Sequence, residues 1–110
     1  MARALEKLPL REEPVELRAE TRALMEESPE EGSRLVRETS FVADLLWEDW
    51  AERLEPAGMG HDRFMEISRG YADEIRLWVV GERPWDHCAA GLAGRALRRL
   101  PAREATQAEV

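Results

Sequence analysis

The sequence predicts an all-α protein, a small up-down bundle of about four helices. Apolar residues recur at helical spacing, proline and glycine stand where helices begin and end, and no segment alternates as a half-buried strand does. With 110 residues, the chain has the length of one domain. We expect a flexible segment at 1–13, one helical domain at 14–100 and a disordered tail at 101–110. The predicted helices cover approximately residues 14–27, 29–54, 61–80 and 84–100.

The first two helices differ in the strength of their signals. Pro14 stands at the start of the first helix behind two glutamates, but the apolar pattern that follows is thin and indicates a peripheral helix. Ser28 as N-cap and Pro29 at the first helical position give the second helix the strongest start signal in the chain. Weak helix formers around Ser40 allow a bend or a break in that helix.

The last two helices are separated by a short connection. Gly81 follows the third helix, where glycine commonly takes the left-handed conformation that caps a helix end. The fourth helix begins near Pro84 and ends before Pro101. Short connections favour antiparallel neighbours. Five aromatic side chains are predicted to fill the core, with indole N–H groups at its rim: Trp47, Trp50, Tyr71, Trp78 and Trp85.

Composition narrows the classes of function. The chain is 44% hydrophobic and 35% charged, and it lacks a run of about 18 apolar residues that could span a membrane, so we expect a soluble, cytoplasmic protein. A net charge of −7 argues against broad electrostatic capture of nucleic acid. The single cysteine, Cys88, excludes an intramolecular disulfide and the usual cysteine-rich zinc sites.

The familiar catalytic and cofactor-binding patterns are missing from the sequence. Gly91 and Gly94 lie inside a predicted helix and not between a strand and a helix, which argues against a phosphate-binding loop. Neither His61 nor His87 follows a glutamate by three residues, the spacing that a dimetal carboxylate centre requires. Consecutive helical residues point about 100° apart, so His87 and Cys88 cannot form a catalytic dyad. We predict no catalytic residue, no metal and no cofactor.

The second helix carries an additional apolar stripe that is a candidate for partner binding. Phe41 and Leu45, four residues apart, project away from its main apolar line. A second apolar stripe is either covered by the first helix or in contact with another chain, and the sequence leaves both interpretations open.

The fourth helix carries the other candidate surface. Two glycines inside a helix cost on the order of 1 kcal/mol each, which calls for a reason such as close approach of another backbone or a ligand. Close packing against the first helix is one interpretation. The other is a shallow notch with cationic edges that would suit an acidic partner helix or an anion. The residues of this face are His87, Gly91, Gly94, Arg95 and Arg98.

These features favour a non-enzymatic protein-interaction or regulatory module, a homodimer or one subunit of a complex. Two alternatives stay open. One is a nucleic-acid-associated regulator that uses the basic segment Arg95–Arg103, since residues 91–110 carry 4 basic and 2 acidic groups. The other is a small-molecule or metal-binding bundle with a pocket between the helices.

Overall fold

The structure of the protein is a computed structural model that describes residues 8–39 and 41–100, without the side chains of Glu38, Thr39 and Phe41. The predicted small all-α bundle is confirmed, and the described residues contain no strand. The expected disordered tail at 101–110 and the first seven residues of the expected flexible segment lie outside this description. The helices are α1 (Val15–Glu27), α2 (Pro29–Arg34), α3 (Phe41–Leu54), α4 (His61–Arg69), α5 (Ala72–Val79) and α6 (Trp85–Arg98).

The second predicted helix is divided into two by a π-helical turn. Leu35–Thr39 forms this turn between α2 and α3. The weak helix formers around it, including Ser33 and Thr39, explain why a continuous α-helix is not favoured here. Gly32 of α2 is buried against α1, where a Cβ would lie 2.7 Å from the Met25 Cα. The backbones of α1 and α2 are therefore in close contact at Gly32.

The third predicted helix is also divided, at Gly70 and Tyr71. Gly70 donates its N–H to carbonyls of the last turn of α4, and Tyr71 takes φ −107° and ψ 10°, outside the helical range. Glycine is a poor helix former, so the helix ends here at low cost. Tyr71 is buried, and the break sets the direction in which α5 leaves α4.

The left-handed cap predicted at Gly81 is confirmed. Gly81 has φ +91°, its N–H donates to the Trp78 carbonyl at 3.0 Å, and the next N–H, of Glu82, donates to the Leu77 carbonyl at 2.8 Å. These two bonds form the paired pattern that closes many helix ends. The cap turns the chain sharply between α5 and α6.

The core lies where α3, α4, α5 and α6 meet. α3 packs on α4, α4 and α5 pack on α6, and α1 packs on α2 and α5. Within the described part of the chain, no helix has both the length and the apolar character needed to cross a membrane. The largest fully buried side chains include Trp50, Trp78, Phe64, Leu46, Leu54, Met59, Ile75 and Leu92.

Candidate functional site: a tryptophan groove and the strap it holds

A segment without regular secondary structure crosses the helical body before α1 begins. We call this segment, residues 8–13, the strap. It has no helical structure, and its Leu8 is buried with 5% of its surface exposed. These residues belong to the segment 1–13 that is expected to be flexible, and in the structure they lie against three helices.

Three tryptophans hold the strap through their indole N–H groups. Trp50 of α3 donates to the Pro9 carbonyl at 2.7 Å, and Trp85 of α6 donates to the Arg11 carbonyl at 2.7 Å. Trp78 of α5 donates to Oε2 of Glu13 at 2.8 Å. All three distances are those of well-formed hydrogen bonds. Two acceptors are main-chain carbonyls, of Pro9 and Arg11, and the third is the side-chain carboxylate of Glu13.

The helices position the three indoles at one rim of the core. Trp78 and Trp85 flank the Gly81 turn, and their ring centroids are 4.9 Å apart. Trp50 packs edge-on against Phe64, with the centroids 5.9 Å apart. Trp50, Trp78 and Trp85 are at most 5% exposed, so each ring is buried while its N–H reaches the strap.

Charged side chains of opposite sign stand at the two ends of this surface. Asp49 of α3 lies 3.5 Å from the guanidinium of Arg11, and the same guanidinium reaches the Leu45 carbonyl at 3.5 Å. At the other end, the Arg18 guanidinium lies 3.9 Å from the Glu13 carboxylate and donates to the Trp78 carbonyl at 3.0 Å. These partly exposed ion pairs each contribute little energy, but they give the surface a polarity along the strap. We call the surface formed by Trp50, Trp78, Trp85, Asp49 and Arg18 the strap groove.

The predicted partner-binding face of α6 is partly occupied from within. The Tyr71 hydroxyl fills the space that a Cβ at Gly91 would take, and the Arg95 guanidinium lies over the Tyr71 ring, 5.5 Å from its centroid. Close packing therefore accounts for Gly91, although the neighbour is Tyr71 at the start of α5 and not the first helix. At Gly94 the space is open except for the Arg98 guanidinium, whose Nη1 a Cβ would meet at 3.3 Å.

The other predicted residues of this face are at the surface. His87 is exposed, with Nε2 3.8 Å from Oε1 of Glu74. Arg98 and Arg99 are exposed as well, whereas Arg95 is half-buried. In the described part of the basic segment Arg95–Arg103, two arginines are therefore exposed to solvent. Arg103 lies outside the described residues.

The apolar stripe predicted on the second helix is described only in part. Leu45 is half-buried on α3. Phe41 is the first residue of α3, and its side chain lies outside the described part of the structure. α1 packs on α2 and α5, so its main contacts are elsewhere.

Burial keeps the two titratable groups of the core protonated. Burial and, to a smaller extent, the Glu74 carboxylate raise the pKa of Cys88 to about 12. Burial, followed by the charges of Cys88 and Glu74, likewise raises the pKa of Tyr71 to about 12, against the opposing effect of Arg95. A thiol or phenol in this state is a weak nucleophile at neutral pH.

The remaining histidine and acidic groups do not form a metal site in the described residues. His61 lies against Trp47, with ring centroids 5.5 Å apart, and its Nε2 is 3.6 Å from the Asp44 carboxylate. Among the described residues, no three histidine, cysteine or carboxylate side chains are grouped so that they could hold a metal ion.

Sequence reasoning identified the tryptophans but missed the strap. The available signal was the indole N–H itself: a buried indole needs an acceptor, and the carbonyls of an irregular segment are not already used within a helix. Pro9 and Pro14 bracket such a segment, because each proline disfavours helix at the residue before it.

Similarity to known proteins does not assign a ligand to the strap groove. The chain matches no protein-family model, no curated protein and no solved structure.

Proposed function

We infer that the protein is a non-enzymatic interaction module, acting as a homo-oligomer or as one subunit of a complex, and that the strap and its groove form the contact surface. The observation that supports this function is the set of three indole N–H groups that hold a non-helical peptide segment on the helical body. Binding of an extended segment through its main-chain carbonyls is a general mode of peptide recognition.

The outer side of the strap supports the same function. Leu10 and Val15 are the large apolar side chains that the described residues leave exposed, at 43% and 58%. Leu10 lies within the strap, and Val15 is the first residue of α1, two residues after the strap ends. Single exposed apolar residues are ordinary, but these two lie in or next to a peptide that the tryptophans already hold.

The chemistry of the core favours binding over catalysis. Cys88 is 1% exposed and Tyr71 is 7% exposed, and the pKa of each is raised to about 12. Neither group therefore supplies a nucleophile or a base near neutral pH.

The test is the mass of the full chain in solution, measured by light scattering over a range of concentrations, together with mass spectrometry of any stable companion. The Trp50→Phe/Trp85→Phe variant keeps the buried rings and removes two of the three donors. We expect association to weaken about tenfold or more, since each lost hydrogen bond costs about 0.5–1.5 kcal/mol.

Trp47→Phe is the matched control, because it makes the same change in the fourth tryptophan, whose ring packs on Phe64 and His61. It should associate as the wild type does. A wild-type chain that stays monomeric at every concentration, with no companion attached, would contradict the proposed function.

A further inference from the structure

The contacts between strap and groove depend on a pattern of acceptors that other peptides can present. The three indole groups meet a carbonyl at residue 9, a carbonyl two residues later and a carboxylate four residues later. Two of the three acceptors are main-chain groups, which every peptide carries. None of them requires the covalent link between the strap and α1.

Side-chain requirements add direction and selectivity to this pattern. Asp49 stands beside the residue that contributes the second carbonyl and favours an arginine there, as Arg11 shows. Arg18 stands beside the carboxylate at the other end. The residue before the first carbonyl is apolar and buried, as Leu8 is. The opposite charges at the two ends oppose binding of a peptide in the reverse direction.

Resting on the proposed function, we propose that the strap groove binds an extended segment of a partner protein with this chemistry: an apolar residue, proline, any residue, arginine, any residue, then a carboxylate. Charge complementarity with Asp49 and Arg18 identifies the occupant. The strap of the same chain fills the groove when the partner is absent.

The strap is a strong competitor because it is tethered. A short tether gives the strap an effective concentration on the order of millimolar. A free peptide therefore binds only the fraction of wild-type molecules in which the strap has dissociated from the groove. A change that weakens the hold on the strap, while the groove stays intact, must therefore increase the apparent affinity for a peptide added in solution.

The experiment uses the full chain and a blocked synthetic peptide with the sequence of residues 8–14. Binding is measured by calorimetry and by the fluorescence of the groove tryptophans. The receptor is the Glu13→Ala variant, whose strap has lost its bond to Trp78. The matched control receptor is Glu12→Ala, because Glu12 is an exposed strap residue and its removal changes the charge equally.

We expect the peptide to bind Glu13→Ala about tenfold more tightly than Glu12→Ala, since a charge-assisted hydrogen bond no longer holds the competing strap. In the peptide, replacing the second glutamate by glutamine should weaken binding about tenfold, whereas the same change in the first glutamate should have little effect. Circular dichroism shows whether the two receptors are equally helical. If Glu13→Ala is less helical than Glu12→Ala, the three peptides are compared on Glu12→Ala alone, at millimolar peptide concentration.

Three results would overturn this inference. They are no binding to either receptor, equal binding to both, and equal weakening by the two glutamine changes, which would indicate attraction by charge alone. A wild-type dimer that the peptide dissociates would place the strap of a second copy in the groove and would also overturn the partner assignment. Association that is indifferent to the Trp50→Phe/Trp85→Phe change would overturn the proposed contact surface itself. Failure of the peptide series alone would overturn only the partner assignment, so the two failures can be told apart.

Discussion

Replacing Gly91 by alanine tests whether this position is structural or open to a partner. The new Cβ would overlap the Tyr71 hydroxyl and lie 2.9 Å from Cζ, closer than real Cβ atoms approach a carbon. Alanine gains about 1 kcal/mol over glycine within a helix, but overpacking a closely packed site costs about 1–3 kcal/mol. We therefore expect Gly91→Ala to lower the free energy of unfolding by about 0–2 kcal/mol.

Gly94→Ala is the control on the same helix. Its Cβ would meet only the Arg98 Nη1, at 3.3 Å, the free end of a flexible side chain. The gain in helix propensity should then be expressed almost fully, and we expect stabilisation by about 0.5–1 kcal/mol. The two alanine variants should differ by about 1–3 kcal/mol although they lie three residues apart on one helix.

Urea unfolding followed by tryptophan fluorescence measures both variants, with unchanged slopes showing that the same surface is exposed. Repeating Gly91→Ala in a Tyr71→Phe background removes the hydroxyl that the Cβ would overlap, so the destabilisation should shrink by about 0.5–1 kcal/mol. If Gly91→Ala stabilises the protein as much as Gly94→Ala does, Tyr71 does not occupy this space, and Gly91 is again a candidate for partner binding.

Two further predictions concern the close helix pair and the buried titratable groups. Gly32→Ala should lower the free energy of unfolding by about 1–3 kcal/mol, whereas Gly60→Ala, with no neighbour within 4 Å, should not lower it through overpacking; thermal melts would compare them. Stability should fall as the pH rises from 9 towards 12, because Cys88 and Tyr71 have folded pKa values of about 12, above their ordinary values of 9.0 and 10.0. Urea midpoints at several pH values measure this fall, and it should begin at higher pH in Cys88→Ala.

The positions of the helix ends could be predicted because they follow from local chemistry. Pro14, Pro29 and Pro84 each stand within one residue of an observed helix start, since proline fixes φ and lacks the N–H that a first turn leaves unpaired. Gly81 was predicted as a cap because left-handed backbone is accessible to glycine at little cost. Ser28 stands at the N-cap position of α2 but makes no side-chain capping bond, so the proline alone marks that start.

The features that escaped prediction depend on residues far apart in the sequence. The two glycines of the fourth helix suggest close approach of another group, but only Gly91 has such a neighbour, the Tyr71 hydroxyl. The break before Tyr71 is itself not predicted from the sequence. The strap forms bonds to tryptophans 41 to 74 residues away along the chain. Hydrophobic periodicity and capping signals concern only residues a few positions apart. They therefore cannot predict the contact of Tyr71 with Gly91 or those of the strap with the tryptophans.

The tryptophans explain why the groove cannot easily remain empty. Most carbonyls of a helix are used within its own ladder, and the indole groups of Trp50, Trp78 and Trp85 find their acceptors in the strap, which is not helical. If the strap leaves, water replaces its acceptors at the three N–H groups, so each exchanged hydrogen bond costs about 0.5–1.5 kcal/mol. The groove is therefore selective for what replaces the strap, since an occupant that lacks acceptors at alternate residues restores little of that energy. A peptide with two carbonyls and a carboxylate in this register restores the hydrogen-bond energy in full. The groove that holds the strap is for this reason selective for a partner peptide with the same acceptors.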